Sequence, residues 1–178
     1  TSHSMPIPNI HPDVASGVIT CVTLLQPNFP VANNYIYSNL PNIQQYARCQ
    51  IVKKKYPIVI DVAHNKLAVI YLKQFVRCNF SAKKLRLVFS CLNTKDYKSM
   101  LSEFDCDNVT WYLSDLGVAN GVKKNDIRQA ISSECFLFPS ISCAFEKAWL
   151  DCQKNEMVVV FGSFYVAKEA LAFLGNNN

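Results

Sequence analysis

The sequence lacks a long hydrophobic run, an export-like leader and a high content of charge. Charged residues make up 17% of its 178 residues and hydrophobic residues 50%, a globular composition and not a disordered one. No apolar run approaches the roughly 20 residues that a membrane helix needs. The N-terminus also has no basic segment followed by an apolar stretch. These absences predict a soluble, cytoplasmic protein with one ordinary-sized core and no membrane partner.

Metal-binding cysteine patterns are missing as well. The chain has eight cysteines, but no two form a CxxC pair and no histidine stands at a ligand spacing from any of them. Most lie in apolar patterns such as "LVFSCL" and "SECFLF", where cysteine acts as a small hydrophobic residue. We therefore expect reduced thiols and no structural metal.

Positive charge is too sparse for a nucleic-acid binder. The net charge is +5, from 18 Lys and Arg against 13 Asp and Glu, a small excess that favours an anionic ligand. The densest run, residues 53–55, lies between two apolar strand patterns and is typical of a solvated turn. No nucleic-acid partner is expected.

Apolar periodicity predicts the order of the secondary-structure elements. Residues 12–25 predict a buried helix, and residues 32–40 a short one. After Arg48, strands alternate with helices: strands at 49–52, 57–62, 85–92, 109–114, 135–138 and 157–162, and helices at 66–78, 95–104, 123–132, 141–154 and 163–174. Continuous apolar strands joined by helices favour an α/β fold, a Rossmann-like, mostly parallel sheet with helices on both faces.

The stretch "VIDVAHN", residues 59–65, is a strand-to-helix junction of the kind that binds ligands in such sheets. Asp61 ends the strand, and His64 and Asn65 open a helix whose free N–H groups favour phosphate. The structural alternative is that Asn65 only caps the helix and Asp61 only satisfies a loop. Arg48 precedes the first strand and is a solvated loop residue unless a phosphate or an adenine lies near it.

A second junction is "VVVFGSF", residues 158–164. Gly162 permits a tight turn and Ser163 can cap the helix, so structure alone accounts for both. The chain contains neither GxGxxG nor GxxxxGK[ST], so the usual phosphate cradles are missing.

Taken in order, the segments resemble the C-terminal domain of the folylpolyglutamate synthase and dihydrofolate synthase family, in the Mur ligase superfamily. The resemblance runs from about residue 12 to residue 174. It rests on "PDVASGVITC", "ARCQIV", "IDVAHN", "LVFSCLNTKD", "VTWYL", "AFEKAW" and "VVVFGSF". It implies that residues 6–47 end a central ATPase domain and residues 48–178 form a Rossmann-like ligase domain. Residues 1–5 have no pattern and are a possible cloning remnant.

The resemblance also implies an ATP-dependent ligase that adds L-glutamate to dihydropteroate or to a folylpolyglutamate. Such enzymes use ATP and Mg²⁺ to phosphorylate a carboxylate, and the glutamate amine then displaces the phosphate. By motif, Arg48 would contact the nucleotide, Asp61 would engage the ribose or orient the loop, and His64 would lie on the phosphate side as a catalytic candidate. Asp13 aligns with an asparagine that holds adenine. The family implies a monomer, with no metal ligand in this chain, which alone would be inactive.

Several positions depart from the family pattern. Besides Asp13, Ala47 and Ser90 stand where the family has glycine, Thr94 replaces an acidic residue, and "VANGVKK" replaces a loop of the Gly-Pro-Arg-Gly type. Two other functions stay open: the C-terminal domain of a peptidoglycan Mur ligase, and a non-catalytic nucleotide-binding or interaction module that docks a partner through the helix at residues 13–25.

Overall fold

The computed structural model describes residues 12–43, 45–82, 84–105 and 108–176, without the side chains of residues 12 and 13. The chain divides into two compact units, residues 1–46 and 47–178. In the smaller unit, helix α1 spans Pro12–Leu25, helix α2 spans Asn33–Asn39, and a 3-10 turn covers Leu40–Asn42.

The larger unit alternates strands and helices, as the periodicity predicts. Its strands are β1 (Gln50–Lys53), β2 (Pro57–Ile60), β3 (Lys84–Phe89), β4 (Val109–Ser114), β5 (Glu134–Phe138) and β6 (Glu156–Phe161). Its helices are α3 (Lys66–Asn79), α4 (Tyr97–Leu101), α5 (Lys124–Gln129), α6 (Ile141–Asp151) and α7 (Phe164–Asn176).

The six strands form one sheet in the order β1-β2-β6-β3-β4-β5. Strand β1 is antiparallel to β2. The other neighbouring strands pair in parallel. Of the lysine run, Lys53 ends β1 and Lys54 and Lys55 lie in the turn between β1 and β2, where Lys55 is exposed and Lys54 partly buried. The mostly parallel sheet confirms the predicted fold class.

Helices cover both faces of the sheet, and each face has its own apolar core. On one face α3, α4 and α5 pack over the side chains of Phe89, Trp111 and Phe161. On the other, α6 and α7 pack over the side chains of Val88 and Tyr112. Successive residues of a strand point to opposite faces, which is why strands with two buried faces read as unbroken apolar runs.

The prediction that the helix at residues 12–25 is buried was wrong. The helix is present, but Ala15 is the one buried residue among residues 14–25, while Leu24 is 74% exposed and Val18 is 47% exposed. An apolar composition predicts that a helix needs a partner but does not supply one. The apolar side of α1 is largely uncovered within the described chain.

Two helices are shorter than the predicted spans 95–104 and 123–132. Helix α4 starts late because the Asp96 carboxylate caps it, accepting from the Ser99 N–H at 3.2 Å. The segment after α5 leaves the helical path where the Asp105 carboxylate binds the backbone N–H groups of Ser132 and Ser133, at 2.9 and 3.0 Å. Periodicity does not register such long-range polar contacts.

The cysteines are only partly the small core residues that the sequence suggests. Cys91 and Cys152 are buried, but Cys21, Cys78 and Cys143 are exposed. Each of the exposed three lies in a helix, on the side away from its apolar stripe. Across the described ranges, no helix is long and apolar enough to cross a membrane.

Candidate functional site

The crevice at the carboxyl ends of β2 and β6 is where the fold favours a ligand. The two strands are adjacent and parallel. Helix α3, which follows β2, packs on one face of the sheet, whereas α7, which follows β6, packs on the other. Loops that diverge from neighbouring strands leave a crevice between them, the usual ligand position in open α/β sheets. Both polar junctions noted in the sequence lie at this edge of the sheet, directly after β2 and β6.

Asp61 is buried and ties two loops together at this edge. One carboxylate oxygen accepts from the Cys49 N–H and the other from the Ala63 N–H, both at 2.6 Å. Burial raises the pKa of Asp61, opposed by these two N–H groups and by the charge of Arg48. Only 6% of the residue is exposed. This geometry fits the loop-orienting role, while a contact with a ribose stays a prediction.

The loop that carries Arg48 is tightly folded. Its flanking residues, Ala47 and Cys49, have φ values of 53° and 45°, in the left-handed region that favours glycine. The Val62 N–H binds the Ala47 carbonyl at 2.9 Å, which fastens the loop to the end of β2. The glycine of the family pattern at position 47 fits this conformation more readily than alanine. Arg48 itself is exposed.

His64 is held in one orientation at the mouth of the crevice. Its Nδ1 lies 2.9 Å from the Val62 carbonyl oxygen. Because a carbonyl only accepts, Nδ1 carries the proton of that bond, which leaves Nε2 to act toward a ligand. The ring is half-buried.

Two capped helix N-termini face the same crevice. Asn65 caps α3 by accepting from the Ala68 N–H at 2.9 Å. Ser163 caps α7 by accepting from the Val166 N–H at 3.3 Å. In each helix the first two N–H groups have no partner among the described residues. Unpaired N–H groups and the helix dipole together favour an anion.

Phe164, the first residue of α7, brings Arg48 and His64 together. The Arg48 Cζ lies 5.9 Å from the centroid of the Phe164 ring. The His64 ring centroid lies 6.4 Å from the same ring. In the motif "VVVFGSF" the sequence predicts roles for Gly162 and Ser163 but none for Phe164. The available signal was a large aromatic residue outside the apolar stripe of a helix, which has its buried residues at 166, 167, 170 and 174.

Gly162 allows the turn into α7 to pass close to β3. Its φ is 116°, and a Cβ there would meet the Ser90 carbonyl oxygen and lie 2.8 Å from the Phe89 ring. The glycine is therefore required both by backbone conformation and by space. No dinucleotide fingerprint is needed to explain it.

The other departures from the family pattern differ in their settings. Ser90 directly follows β3, and its hydroxyl is buried without a hydrogen-bond partner among the described residues; the hydroxyl of Ser114, the last residue of β4, is in the same state. Thr94 is exposed in the loop after β3. The Asp13 side chain lies outside the described residues, so its predicted contact with adenine stays a prediction.

The crevice suits a phosphate-bearing ligand better than a metal. It combines a guanidinium and two sets of free N–H groups, which attract negative charge, with the imidazole of His64 beside them. Across residues 12–43, 45–82, 84–105 and 108–176, no three His, Cys, Asp or Glu side chains gather as a metal-ion site. A nucleotide fits the residues present, whereas Mg²⁺ finds no ligand set among them.

The fold defines a Rossmann-like α/β domain, and the groups at the carboxyl ends of β2 and β6 are of the kind that favour an anion. Residues 47–164 match the family model described as Mur ligase, glutamate ligase domain. The chain belongs to this family, and the resemblance noted in the sequence is confirmed.

Curated relatives carry folate-enzyme names. The dihydrofolate synthase/folylpolyglutamate synthase of Buchnera aphidicola subsp. Acyrthosiphon pisum is 24% identical over 93% of this chain and 41% of its own length. That of Escherichia coli strain K12 is 23% identical over 96% of this chain and 40% of its own. A probable dihydrofolate synthetase of Schizosaccharomyces pombe is 28% identical over 88% and 40%. The chain spans about two fifths of these relatives.

Solved structures give the same fold. E. coli FolC in complex with DHPP and ADP superposes with a TM-score of 0.88 at 22% identity, over 97% of this chain and 41% of that one. The bifunctional folylpolyglutamate synthase/dihydrofolate synthase from Yersinia pestis, complexed with AMPPNP and a Mn ion, has a TM-score of 0.83 at 25% identity, with the same coverage.

Proposed function

We propose that the chain is the C-terminal part of an ATP-dependent ligase that adds L-glutamate to dihydropteroate or to folylpolyglutamates. The observation that carries the proposal is the crevice in which Arg48, His64 and the N-termini of α3 and α7 face one space. The relatives named for both folate activities support the substrate class. The ADP and the AMPPNP bound in related structures support ATP as the co-substrate.

Each site residue then has a distinct part. The planar guanidinium of Arg48 pairs with phosphate oxygens of the nucleotide. Asp61 keeps the Arg48 loop in place through the Cys49 N–H. His64 presents Nε2 on the phosphate side, because Nδ1 is bound to the Val62 carbonyl, and Nε2 donates to a phosphate oxygen when both ring nitrogens carry a proton. Asp13 would approach the adenine and accept from its amino group, since a carboxylate cannot donate.

The proposed reaction has two steps. A carboxylate oxygen of the folate substrate attacks the γ-phosphorus of ATP, and ADP leaves. The amine of L-glutamate then attacks the acyl carbon, and inorganic phosphate departs with one of the former carboxylate oxygens. This chain contributes fixed positive charge and N–H dipoles, which stabilise transferring phosphoryl groups, and a surface that excludes water from the labile acyl phosphate. When bound, Mg²⁺ neutralises phosphate charge, with its ligands mainly outside this chain.

The exposed face of α1 and α2 supports the idea that the site is half of a larger one. Large apolar or aromatic side chains are exposed along residues 12–46, with Leu24 at 74%, Phe29 at 68% and Tyr35 at 66%. Exposed apolar patches mark interaction surfaces. We assign residues 6–47 to the end of a central ATPase domain, whose remainder covers this face and supplies the P-loop that this chain lacks. Residues 48–178 are the ligase domain that closes over the nucleotide.

The purified 178-residue chain should therefore not turn over ATP. The assay measures ADP release with ATP, Mg²⁺, L-glutamate and dihydropteroate, beside an active folate ligase as the positive control. Glutamate-dependent ADP release by this chain alone would contradict the half-site proposal.

In the longer ligase that contains this chain, His64→Ala should lower kcat by ~100-fold or more, the usual range for a group that acts in the transition state. Stability should fall by less than ~1 kcal/mol, because a half-buried loop-edge residue contributes little packing. Asn65→Ala is the matched control: it removes a helix cap and should cost ~1 kcal/mol of stability with a smaller effect on kcat. Equal losses of activity and stability for His64→Ala would show a structural role.

The peptidoglycan alternative is separated by genetics. The longer gene should complement a folate-ligase mutant and not a cell-wall-ligase mutant. Complementation of the second alone would replace the folate proposal. The non-catalytic module would be favoured instead if the gene encoded no ligase sequence upstream. The monomeric state and the cytoplasmic location expected from the sequence stay predictions.

A further inference from the structure

Two consecutive aromatic residues at the start of α7 are exposed. Phe164 is 63% exposed and Tyr165 is 46% exposed. Both lie outside the apolar stripe of the helix, whose buried residues are 166, 167, 170 and 174. Exposed aromatic side chains of this size gain little from folding, so packing alone does not explain them.

The contacts of the two rings differ. Phe164 lies under the Arg48 guanidinium, with 5.9 Å between Cζ and the ring centroid, within the range of a cation–π interaction. It also meets the His64 ring at 6.4 Å, with the two planes at 37°. Tyr165 makes no ring or cation contact with either residue in the described part of the chain. The neighbours therefore form a natural pair of test and control.

Arg48 depends on such a contact for its placement. The backbone around it is fixed by the bonds of Ala47 and Cys49 to the end of β2. Its side chain forms no close ion pair or hydrogen bond among the described residues, although its charge interacts with that of the Asp61 carboxylate. A long exposed arginine without a partner samples many rotamers, and ordering it on binding weakens binding. The Asp61 charge attracts the guanidinium without a close contact, whereas the Phe164 ring lies against it and limits its rotamers.

We propose that Phe164 is a positioning residue for Arg48: its ring holds the guanidinium beside His64 so that both groups address the same phosphate of the nucleotide. The inference rests on the proposed function, because it presumes a nucleotide in the crevice. It adds a role for the aromatic residue of "GSF", which acts through Arg48 and not by contact with the reacting atoms.

The test is steady-state kinetics in the longer ligase with Phe164→Leu, Phe164→Tyr and Tyr165→Leu. Phe164→Leu keeps an apolar side chain but removes the ring, so KM for ATP should rise about threefold to fivefold, the value of an exposed cation–π contact. The kcat and the KM for L-glutamate should stay unchanged. Phe164→Tyr keeps an aromatic ring, so its KM for ATP should equal that of the parent enzyme. Tyr165→Leu should also leave the KM for ATP at the parent value. An unchanged KM for Phe164→Leu, or an equal rise for Tyr165→Leu, would overturn the inference.

A double-mutant cycle separates positioning from direct contact. If Phe164 acts through Arg48, then Phe164→Leu should have no further effect on KM for ATP once Arg48→Ala is present. Additive effects would mean that Phe164 touches the nucleotide itself, and would overturn the positioning role. A parent enzyme without ATP-dependent ligation would contradict the proposed function, whereas an active parent with an unresponsive Phe164→Leu variant would contradict this inference alone.

Discussion

At the residue scale, the structure separates side chains that build the crevice from those that face it. Both carboxylate oxygens of Asp61 accept hydrogen bonds from backbone N–H groups. Arg48, in contrast, is exposed, and Nε2 of His64 remains available to a ligand. The motif "VIDVAHN" thus contains one positioning residue and one outward-facing residue. The sequence predicts that Asp61 and His64 lie close together, but it does not show which of them holds the loop and which faces a ligand.

The serines of the larger unit provide a prediction with opposite signs. Ser90 has a buried hydroxyl without a partner in the described chain, so Ser90→Ala should raise the free energy of unfolding by ~1 kcal/mol by removing an unsatisfied group. Ser163 caps α7, so Ser163→Ala should lower it by ~1 kcal/mol. Urea unfolding of the two variants and the parent measures both. A marked loss of stability for Ser90→Ala would show that its hydroxyl is bonded.

At the scale of the elements, polar contacts between distant segments decide where helices stop. Asp105, after α4, binds the Ser132 and Ser133 N–H groups that follow α5. Ser133 in turn accepts from the indole N–H of Trp111 at 3.0 Å, which joins the loop to β4. At the amino ends of the strands, Arg86 on β3 binds Glu156 of β6 at 2.8 Å and the Tyr112 hydroxyl of β4. These contacts stabilise the scaffold away from the crevice.

Asp105 gives the loop a pH dependence. Burial pushes its pKa up, but hydrogen bonds from Ser133 and Ser132 outweigh burial and hold the pKa below the ordinary value. A depressed carboxyl pKa contributes stability that is present above the unfolded value of about 3.9 and is lost as the pH falls through the folded value. Asp105→Asn should therefore cost ~1 kcal/mol near neutral pH, after allowance for solvent screening.

The difference between this variant and the parent should shrink as the pH falls below the unfolded value of about 3.9 and the aspartate becomes protonated. Urea unfolding across this pH range measures the difference. Asp105→Ala is the control for the hydrogen bonds themselves and should remain destabilised at both ends of the range. A constant difference between Asp105→Asn and the parent at every pH would show that the charge of Asp105 contributes nothing.

At the scale of the whole molecule, most of the larger unit could be predicted from its sequence. The strands have two buried faces and strong apolar runs, so their number, order along the chain and alternation with helices were visible. The order of strands in the sheet, with β6 between β2 and β3, was not, because it depends on pairing between segments far apart. That order places "VIDVAHN" beside "VVVFGSF".

The smaller unit shows where sequence reasoning failed. The apolar pattern of α1 predicts that the helix is buried. The pattern does not show whether the surface that covers it belongs to these 178 residues. Val18 and Leu24 are exposed, so the described residues do not cover this side of the helix. Phe164 was missed for a related reason: its role depends on Arg48 and His64, which reach it only through the fold.

The central claim is that this crevice is one face of a nucleotide site. Hydrogen–deuterium exchange of the longer ligase, with and without Mg²⁺ and AMPPNP, tests it most directly. We predict that the nucleotide slows amide exchange in residues 47–49, 62–68 and 163–166, where the Arg48 loop and the two helix N-termini lie. Exchange in the edge strand at residues 134–138 should not change. Binding of AMPPNP with unchanged exchange in those three segments would contradict the account.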